Sequence, residues 1–259
     1  MSENGRDVLR VENIAKRFGK VTALQDVSMR LGRGEVLGLI GDNGAGKSTL
    51  IKTITGFHRP DEGRIFIEGE EVELKSVSQA QSLGIQTVYQ DLALVNYMSV
   101  YHNMFLNKEI LHRPLPLLNN RRMKELTRRY LDDIGVNIPS IDTEVAMLSG
   151  GQRQAIAVAR AVYSDAKILL MDEPLAAMGA KEGAMILDLV QRLKDEGNVS
   201  IILIAHNYAH VLEVCDRVNV LQHGRISYDK AAGETSVEEL TELMVSEYRK
   251  ARATGDGAS

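Results

Sequence analysis

The chain of 259 residues has no tryptophan, only five prolines and a single cysteine, Cys215. One cysteine cannot form a disulfide within the chain, and its position in HVLEVCDRV predicts packing on an amphipathic helix rather than a reactive thiol. Long apolar runs are also missing, since stretches such as IILIA at 201–205 are far shorter than the roughly 20 residues that span a bilayer. The first ten residues lack the apolar centre of a signal peptide. We therefore expect a cytoplasmic protein without a membrane span.

An excess of positive charge is missing as well. The net charge of −4 gives no general attraction to nucleic acid, and 44% hydrophobic with 25% charged residues is ordinary for a soluble globular protein. The one basic stretch is interrupted by acidic residues, which favours a solvated helix face over the alternative of a docking surface. Its members are Arg121, Arg122, Lys124, Arg128 and Arg129.

Strand and helix patterns alternate along most of the chain. Residues 8–31 predict short strands with turns at Gly19 and Gly32, and 63–74 predict a hairpin. Continuous apolar runs predict buried strands at 36–41, 85–90, 167–173 and 199–206. Helices are predicted at 47–56, 76–84 and 185–197, and Ser78 and Gln81 fit a capping box in the second of these. Segment 91–147 departs from this alternation and predicts a mostly helical insert. Such a pattern indicates a mostly parallel, helix-covered sheet that binds ligands at the carboxyl ends of its strands.

The stretch GDNGAGKST at 41–49 matches the pattern G-x-x-x-x-G-K-[ST] and lies between a predicted strand and a predicted helix. Its glycines allow the backbone to wrap around phosphates with the N–H groups pointing inward. Lys47 is expected to reach the β- and γ-phosphates, and the Ser48 hydroxyl to ligate Mg²⁺; a glycine-rich turn without a ligand is the alternative. The predicted nucleotide contacts of this phosphate loop are Gly41, Asn43, Gly44, Ala45, Gly46, Lys47, Ser48 and Thr49.

Two acidic residues end the apolar run ILLMDE at 168–173. A buried strand that delivers two carboxylates to its end needs cations there, because unpaired buried charge is costly. We expect Asp172 to hold Mg²⁺ through water and Glu173 to polarise the attacking water. Alone this pattern is weak, but beside a phosphate loop it predicts hydrolysis of a nucleotide.

A histidine and a glutamine end two further predicted strands. His206 is predicted to form hydrogen bonds with the γ-phosphate and with Glu173, so that the attacking water is held in line with the phosphate. The alternatives are that His206 has no role or that it forms a metal-binding pair with His210. Gln90 is predicted to contact Mg²⁺ or water and to move with the following insert, and a solvated loop amide is the alternative. The candidate catalytic residues are thus Glu173, His206 and Gln90, and the candidate metal ligands are Ser48, Gln90 and Asp172.

A second potential anion cradle is LSGGQ at 148–152, where a serine and two glycines precede a helix predicted to start near Gln152. The order of phosphate loop, Gln90, LSGGQ, ILLMDE and His206 resembles the ATP-binding cassette (ABC) family of transporter ATPases over roughly residues 8–230. The resemblance implies ATP and Mg²⁺ as ligands, and two copies that face each other head to tail, with each ATP between the phosphate loop of one copy and the LSGGQ of the other. The implied contacts beyond the phosphate loop are Ser149, Gly151 and Gln152 on the partner's γ-phosphate and Phe18 on adenine; a capped helix start and a core aromatic residue are the alternatives.

The resemblance also implies an α/β fold of the P-loop NTPase (RecA-like) type. This fold has a mostly parallel sheet with an N-terminal antiparallel β subdomain and an inserted α-helical subdomain. We expect one ABC ATPase domain at 1–230, with its helical subdomain at about 91–160. A C-terminal helix and a disordered tail are expected at 231–259, and the tail is the last six residues, TGDGAS at 254–259.

Two further stretches, TITGFHRPDEGRIFIEGEEV and VYQDLALVNYMSVYHNMFLNKE, resemble the ATPases of monosaccharide importers of the ribose, xylose and fructose type. This implies a peripheral protein at the cytoplasmic face of the membrane that couples ATP hydrolysis to transport. Its implied partners are a second copy of itself, membrane permease subunits and, indirectly, an external sugar-binding protein, with no nucleic acid. There are two alternatives. The protein is a soluble ABC ATPase that acts in DNA repair or on the ribosome instead of in transport, or it is a regulatory ABC protein that has lost hydrolysis.

One position departs from the family pattern. After DEP the family usually continues T-S-A-L-D, whereas this chain has Gly179 where that acid would stand. In the family the acid usually links the two nucleotide sites across the dimer. The hypothesis is therefore that the two sites of this protein communicate weakly and that its basal ATPase activity is modest.

Overall fold

The computed structural model describes residues 7–176 and 178–255. In chain order its elements are β1 Asp7–Phe18, β2 Val21–Gly32, β3 Val36–Ile40, α1 Lys47–Ile54, β4 Glu62–Ile67, β5 Glu70–Val72, α2 Val77–Ser82, β6 Ile85–Val88, α3 Val100–Met104, α4 Asn120–Asp133, α5 Gly150–Tyr163, β7 Ile168–Asp172, α6 Ala180–Glu196, β8 Ser200–Ile204, α7 Tyr208–Val214, β9 Arg217–Gln222, β10 Arg225–Ala231 and α8 Val237–Gly255. Strands and helices alternate through most of this order, as the sequence predicts.

The central sheet has six strands in the order β10-β9-β3-β8-β7-β6, and all neighbours are parallel except β9 and β10. This confirms the mostly parallel sheet. Its apolar strands are buried on both faces because their side chains alternate between two cores. In β7, Leu169 and Met171 face a core shared with α5 and α6, whereas Ile168 and Leu170 face a core shared with β1, β2 and α1.

A second, antiparallel sheet covers one side of the central sheet, with the order β2-β1-β4-β5. It confirms the N-terminal β subdomain and the hairpin predicted at 63–74. The strands predicted as short at 8–31 are instead two strands of 12 residues each, joined by a tight turn at Gly19 with φ of 58°. The two strands pair from Asp7 opposite Gly32 to Phe18 opposite Val21, with several register shifts between, so the polar residues within them do not end the pairing.

Helix α2 begins at a different cap from the one predicted. The Ser76 hydroxyl accepts a hydrogen bond from the Gln79 N–H at 3.2 Å, and Gln79 Oε1 accepts one from the Lys75 N–H at 2.9 Å. The predicted pair, Ser78 and Gln81, lies inside the helix. Both pairs have the same spacing, and the helix starts at the earlier one because Ser76 holds the extended backbone that a cap requires.

The insert at 91–147 is less helical than predicted. Its helices are α3, with five residues, and α4, with 14 residues, followed by a single 3-10 turn at Val145–Met147. Between α3 and α4 the chain forms a hairpin-like loop instead, closed by hydrogen bonds from the His112 N–H to the Leu117 carbonyl and from the Asn119 N–H to the Ile110 carbonyl. Prolines at 114 and 116 explain the difference, because they lack the N–H that a helix needs there.

Cys215 follows α7 as its C-terminal cap rather than lying within the helix, and it is 5% exposed. Burial raises the pKa of its thiol to about 12, which fits the predicted packing role. The chain after residue 230 forms the expected helix, α8, whose last turn includes Thr254 and Gly255. The remainder of the stretch predicted as disordered, 256–259, lies outside the described residues. In the part of the chain that the structure describes, no helix combines the length and apolarity that crossing a bilayer requires.

The contact between β3 and α7 depends on Gly38, and it can be tested by a double-mutant cycle. A β-carbon on Gly38 would lie 2.4 Å from Val211 Cγ1. We expect Gly38→Ala to cost ~1–3 kcal/mol through overpacking, and Val211→Ala about 2 kcal/mol through a cavity. The double variant should be more stable than the sum predicts by at least about 1 kcal/mol, measured by urea unfolding. Strict additivity would contradict this contact.

Candidate functional site

The phosphate loop begins where β3 ends, in the middle of the central sheet. Gly41 has φ of 156°, and a β-carbon on it would lie 2.2 Å from the Leu221 carbonyl oxygen. Gly46 has φ of 110°, and a β-carbon there would lie 2.6 Å from the Ala23 carbonyl oxygen. Only glycine fits either position. Helix α1 starts at the next residue, Lys47, so its N-terminal N–H groups lie beside the loop.

The Lys47 side chain folds back over this loop. Its Nζ donates hydrogen bonds to the carbonyl oxygens of Gly41 at 2.6 Å and Asp42 at 3.1 Å, and the residue is only 7% exposed. Burial lowers the pKa of Lys47, and the charges of Glu173 and Asp172 oppose that shift. An ammonium group held by carbonyl oxygens near two carboxylates is in place to exchange those oxygens for phosphate oxygens.

Asp172 ends β7 and is half-buried beside Lys47. Burial and the neighbouring charge of Glu173 raise the pKa of Asp172, and the charge of Lys47 opposes this. Among the described residues, nothing donates a hydrogen bond to the Asp172 carboxylate, and the exposed Ser48 hydroxyl is likewise without a hydrogen bond. Carboxylate and hydroxyl oxygens are ligands that Mg²⁺ prefers. The donor set therefore fits the predicted magnesium site.

Glu173 has a left-handed backbone with φ of 52°, which is uncommon for a residue other than glycine. Its N–H donates to the Ile204 carbonyl oxygen of β8 at 3.0 Å, and its Oε1 lies 2.6 Å from His206 Nε2. Such strain persists only where the surrounding structure holds it, and it is common at functional sites. The predicted pair is thus present, and because His206 precedes α7, it does not share a helix with His210. The action of the pair on water remains a prediction.

Gln90 is exposed and lies just beyond β6, which ends at Val88. It lines one cleft together with Glu173 and with Arg153 and Gln154 of α5. Gln154 is 3% exposed, and its Nε2, like Arg153 Nε, has no hydrogen-bond partner in the described parts of the chain. Because both residues line this cleft beside Glu173 and each has a donor without an acceptor, they are further candidate residues of the site. Sequence reasoning missed them; the available signal was their place directly after LSGGQ on one helix.

The segment Leu148–Gln152, here called the signature segment, forms a capping box. Ser149 Oγ accepts from the Gln152 N–H at 3.3 Å, and Gln152 Oε1 accepts from the Ser149 N–H at 3.1 Å. Helix α5 therefore begins at Gly150 and not near Gln152 as predicted, because Ser149 is the residue that caps it. Ser149 is exposed. Within residues 7–176 and 178–255, no hydrogen bond or ion pair joins the signature segment to the phosphate loop.

Phe18 ends β1 and is 42% exposed, so the alternative of a core residue is wrong. Its ring meets the His58 ring edge-on, with the centroids 5.1 Å apart, and Lys16 Nζ lies 5.6 Å from its centroid. An exposed aromatic ring is suited to stacking on a base. Its contact with adenine remains a prediction.

Comparisons with known proteins agree with this geometry. A family model described as ABC transporter matches residues 24–176. The xylose/arabinose import ATP-binding protein XylG of Sulfolobus acidocaldarius is 48% identical over 240 residues, which cover 93% of this chain and 94% of that protein. The fructose import ATP-binding protein FrcA of Rhizobium meliloti is 43% identical, covering 84% of this chain and 86% of that protein. The ADP conformation of an ATP-binding cassette of an ABC transporter superimposes with a TM-score of 0.76 at 27% identity, over 92% of this chain and 95% of that one.

The electrostatic cost of the site can be measured through Asp172. Because the folded protein raises the pKa of Asp172, the ionised form destabilises the nucleotide-free fold, and this cost appears as pH rises through that pKa. We expect Asp172→Asn to raise the melting temperature of the nucleotide-free protein by roughly 1–3 °C at neutral pH. The gain should vanish at acidic pH, where Asp172 is protonated. A lower melting temperature at neutral pH would contradict this account.

Proposed function

The chain belongs to the ABC transporter family and is an ABC-type ATPase, and we propose that it powers the import of a monosaccharide through a membrane permease. The observation that carries the proposal is the meeting of Lys47, Asp172 and the Glu173–His206 pair at the carboxyl ends of neighbouring strands. Two relatives that are 48% and 43% identical are named for import of xylose or arabinose and of fructose, and the match covers most of each. Five- and six-carbon sugars are therefore the favoured substrate class.

Each residue of the site has a separate role in ATP hydrolysis. Lys47 and the N–H groups of the phosphate loop hold the β- and γ-phosphates, and Phe18 stacks on adenine. Ser48, Asp172 and Gln90 would hold Mg²⁺, which would neutralise charge on the phosphates when bound. Glu173 orients and polarises the attacking water, while His206, bonded to Glu173 at 2.6 Å, fixes the position of that carboxylate and reaches the γ-phosphate.

The signature segment acts on the nucleotide of a second copy. Its exposed Ser149 and the N-terminus of the 14-residue helix α5 can bind an anion, yet in the described residues they share no hydrogen bond with the phosphate loop of the same chain. In a head-to-tail pair, Ser149, Gly151 and Gln152 of one copy contact the γ-phosphate bound by the other. ATP then stabilises the closed pair, and hydrolysis releases it.

The permease contacts the insert that follows Gln90. The hairpin-like loop at 110–119 exposes four leucines, each at least 45% accessible, on a chain whose other apolar residues are mostly buried. They are Leu111, Leu115, Leu117 and Leu118. A cluster of exposed apolar side chains is typical of an interaction surface. The protein lies at the cytoplasmic face of the membrane, and an external sugar-binding protein acts on the same complex from the other side.

Removing the carboxylate of Glu173 tests the closure step. Glu173→Gln keeps the size of the side chain but cannot polarise water, so the variant should bind ATP, form a stable dimer and lose phosphate release by at least ~100-fold. Light scattering with and without ATP and Mg²⁺ measures the dimer. A Lys47→Ala, Glu173→Gln double variant serves as the control, because it lacks the phosphate ligand and should stay monomeric. A Glu173→Gln protein that is monomeric in saturating ATP would rule out the closure model.

Replacing two leucines of the exposed loop tests the permease contact. Leu115→Ser with Leu117→Ser should weaken co-purification with the permease at least about tenfold through lost apolar contact, while basal ATPase activity of the isolated chain is unchanged. The matched control is Val21→Ser, which alters an apolar residue that is 66% exposed on the antiparallel sheet. Full permease binding by the double variant, or equal loss in the control, would refute the assignment of this loop.

A further inference from the structure

A histidine lies between two exposed phenylalanines at the predicted adenine position. The His58 ring is edge-on to the Phe18 ring, with the centroids 5.1 Å apart and an interplanar angle of 68°. It meets the Phe57 ring in the same way, at 5.0 Å and 77°. Phe18 is 42% exposed and Phe57 is 61% exposed, whereas His58 is half-buried. His58 is thus the inner ring of the three, and both of its neighbours present surface to solvent.

The backbone of His58 is fixed to the helix that carries the phosphate loop. The N–H groups of Phe57 and His58 both donate to the Lys52 carbonyl oxygen in α1, each at 2.9 Å, and the Gly56 N–H donates to the carbonyl oxygen of the next residue after Lys52 at 3.1 Å. With φ of 72° at Gly56, these bonds form the Schellman motif that ends a helix. Because α1 begins at Lys47, His58 has a set position relative to the phosphate ligands.

Asp61 joins the end of β1 to the same segment. Its carboxylate accepts hydrogen bonds from Lys16 Nζ at 2.9 Å and from the Arg17 N–H at 2.6 Å. Its own N–H donates to the Ala15 carbonyl oxygen at 2.9 Å. These three bonds hold the end of β1, and with it the ring predicted to stack on adenine, beside the segment that follows α1.

His58 packs against Phe18 as a neutral ring. Burial and the positive charges of Lys52 and Lys16 lower the pKa of His58, so the imidazole is mainly uncharged at pH 7. Edge-on contact between two aromatic rings is favourable. The contact restricts the rotation of Phe18, which as an exposed side chain could otherwise change rotamer.

We propose that His58 is a positioning residue that holds the Phe18 ring in the orientation that stacks on the base of ATP. It acts on the nucleotide through Phe18, so it contributes to binding of the base and not to binding of the phosphates or to hydrolysis. The inference rests on the proposed stacking of adenine on Phe18. It adds to that proposal a residue that makes the stacking surface rigid before the nucleotide binds.

Equilibrium binding of AMP-PNP, a non-hydrolysable ATP analogue, to the full-length chain tests this inference. We expect His58→Ala to weaken binding roughly 5-fold, because an unsupported Phe18 loses rotamer freedom when the base stacks on it. His58→Phe keeps an aromatic edge and should bind as the wild type does. The matched control is His112→Ala, at an exposed histidine of the loop at 110–119, which should also bind normally. In turnover, His58→Ala should raise the half-saturating ATP concentration by the same factor and leave kcat unchanged.

Two further measurements separate support of Phe18 from a general loss of structure. Inorganic tripolyphosphate has no base, so His58→Ala should bind it as tightly as the wild type does. Phe18→Ala should weaken binding of AMP-PNP about tenfold through lost stacking. Adding His58→Ala to Phe18→Ala should weaken it no further, because the supported ring is then absent.

The inference is overturned if His58→Ala binds AMP-PNP like the wild type, if His58→Phe is as weak as His58→Ala, if tripolyphosphate binding falls equally, or if the two single effects multiply in the double variant. A Phe18→Ala protein that binds AMP-PNP like the wild type would instead contradict the stacking of adenine itself, and the inference with it. The two failures are distinguishable because only the second leaves Phe18→Ala without effect.

Discussion

The parallel pairing of β3 with β8 and of β8 with β7 is the constraint on which the site depends. These three strands end side by side, so the phosphate loop, the pair of carboxylates and the histidine are delivered to one edge of the sheet. The backbone of Glu173 is tied into β8 by the bond from its N–H to the Ile204 carbonyl. A one-residue slip of β7 against β8 would turn Glu173 to the other face and break its bond to His206.

Assembling charge in this way opposes folding, and the structure compensates for it locally. A buried ammonium and a half-buried carboxylate would each be unfavourable alone, but Lys47 lies among carbonyl oxygens and near both acids. Asp172 keeps a raised pKa and has no hydrogen bond among the described residues, so the balance is incomplete without a cation. In the proposed function, a nucleotide with Mg²⁺ would supply both missing charges, which is how such a site can favour its ligand over water.

Much of this could be predicted from the sequence, because the strongest signals are local. The apolar runs at 36–40, followed by GDNGAGKST, and at 168–171, followed by Asp172 and Glu173, carry both the strand and the chemistry at its end. Signals that depend on partners distant in the chain were weaker. The helical content of the insert was overestimated because prolines 114 and 116 lie in a hairpin-like loop. Gln154 was missed because its burial depends on how α5 packs, and its place directly after LSGGQ was the one signal available.

The central claim is that two chains share each nucleotide, and a crystal structure of the Glu173→Gln protein with ATP and Mg²⁺ tests it most directly. The account predicts that Ser149 Oγ of one copy lies at hydrogen-bond distance, about 3 Å, from the γ-phosphate that Lys47 of the other copy holds. An ATP enclosed by a single chain, with Ser149 of both copies facing solvent, would contradict it.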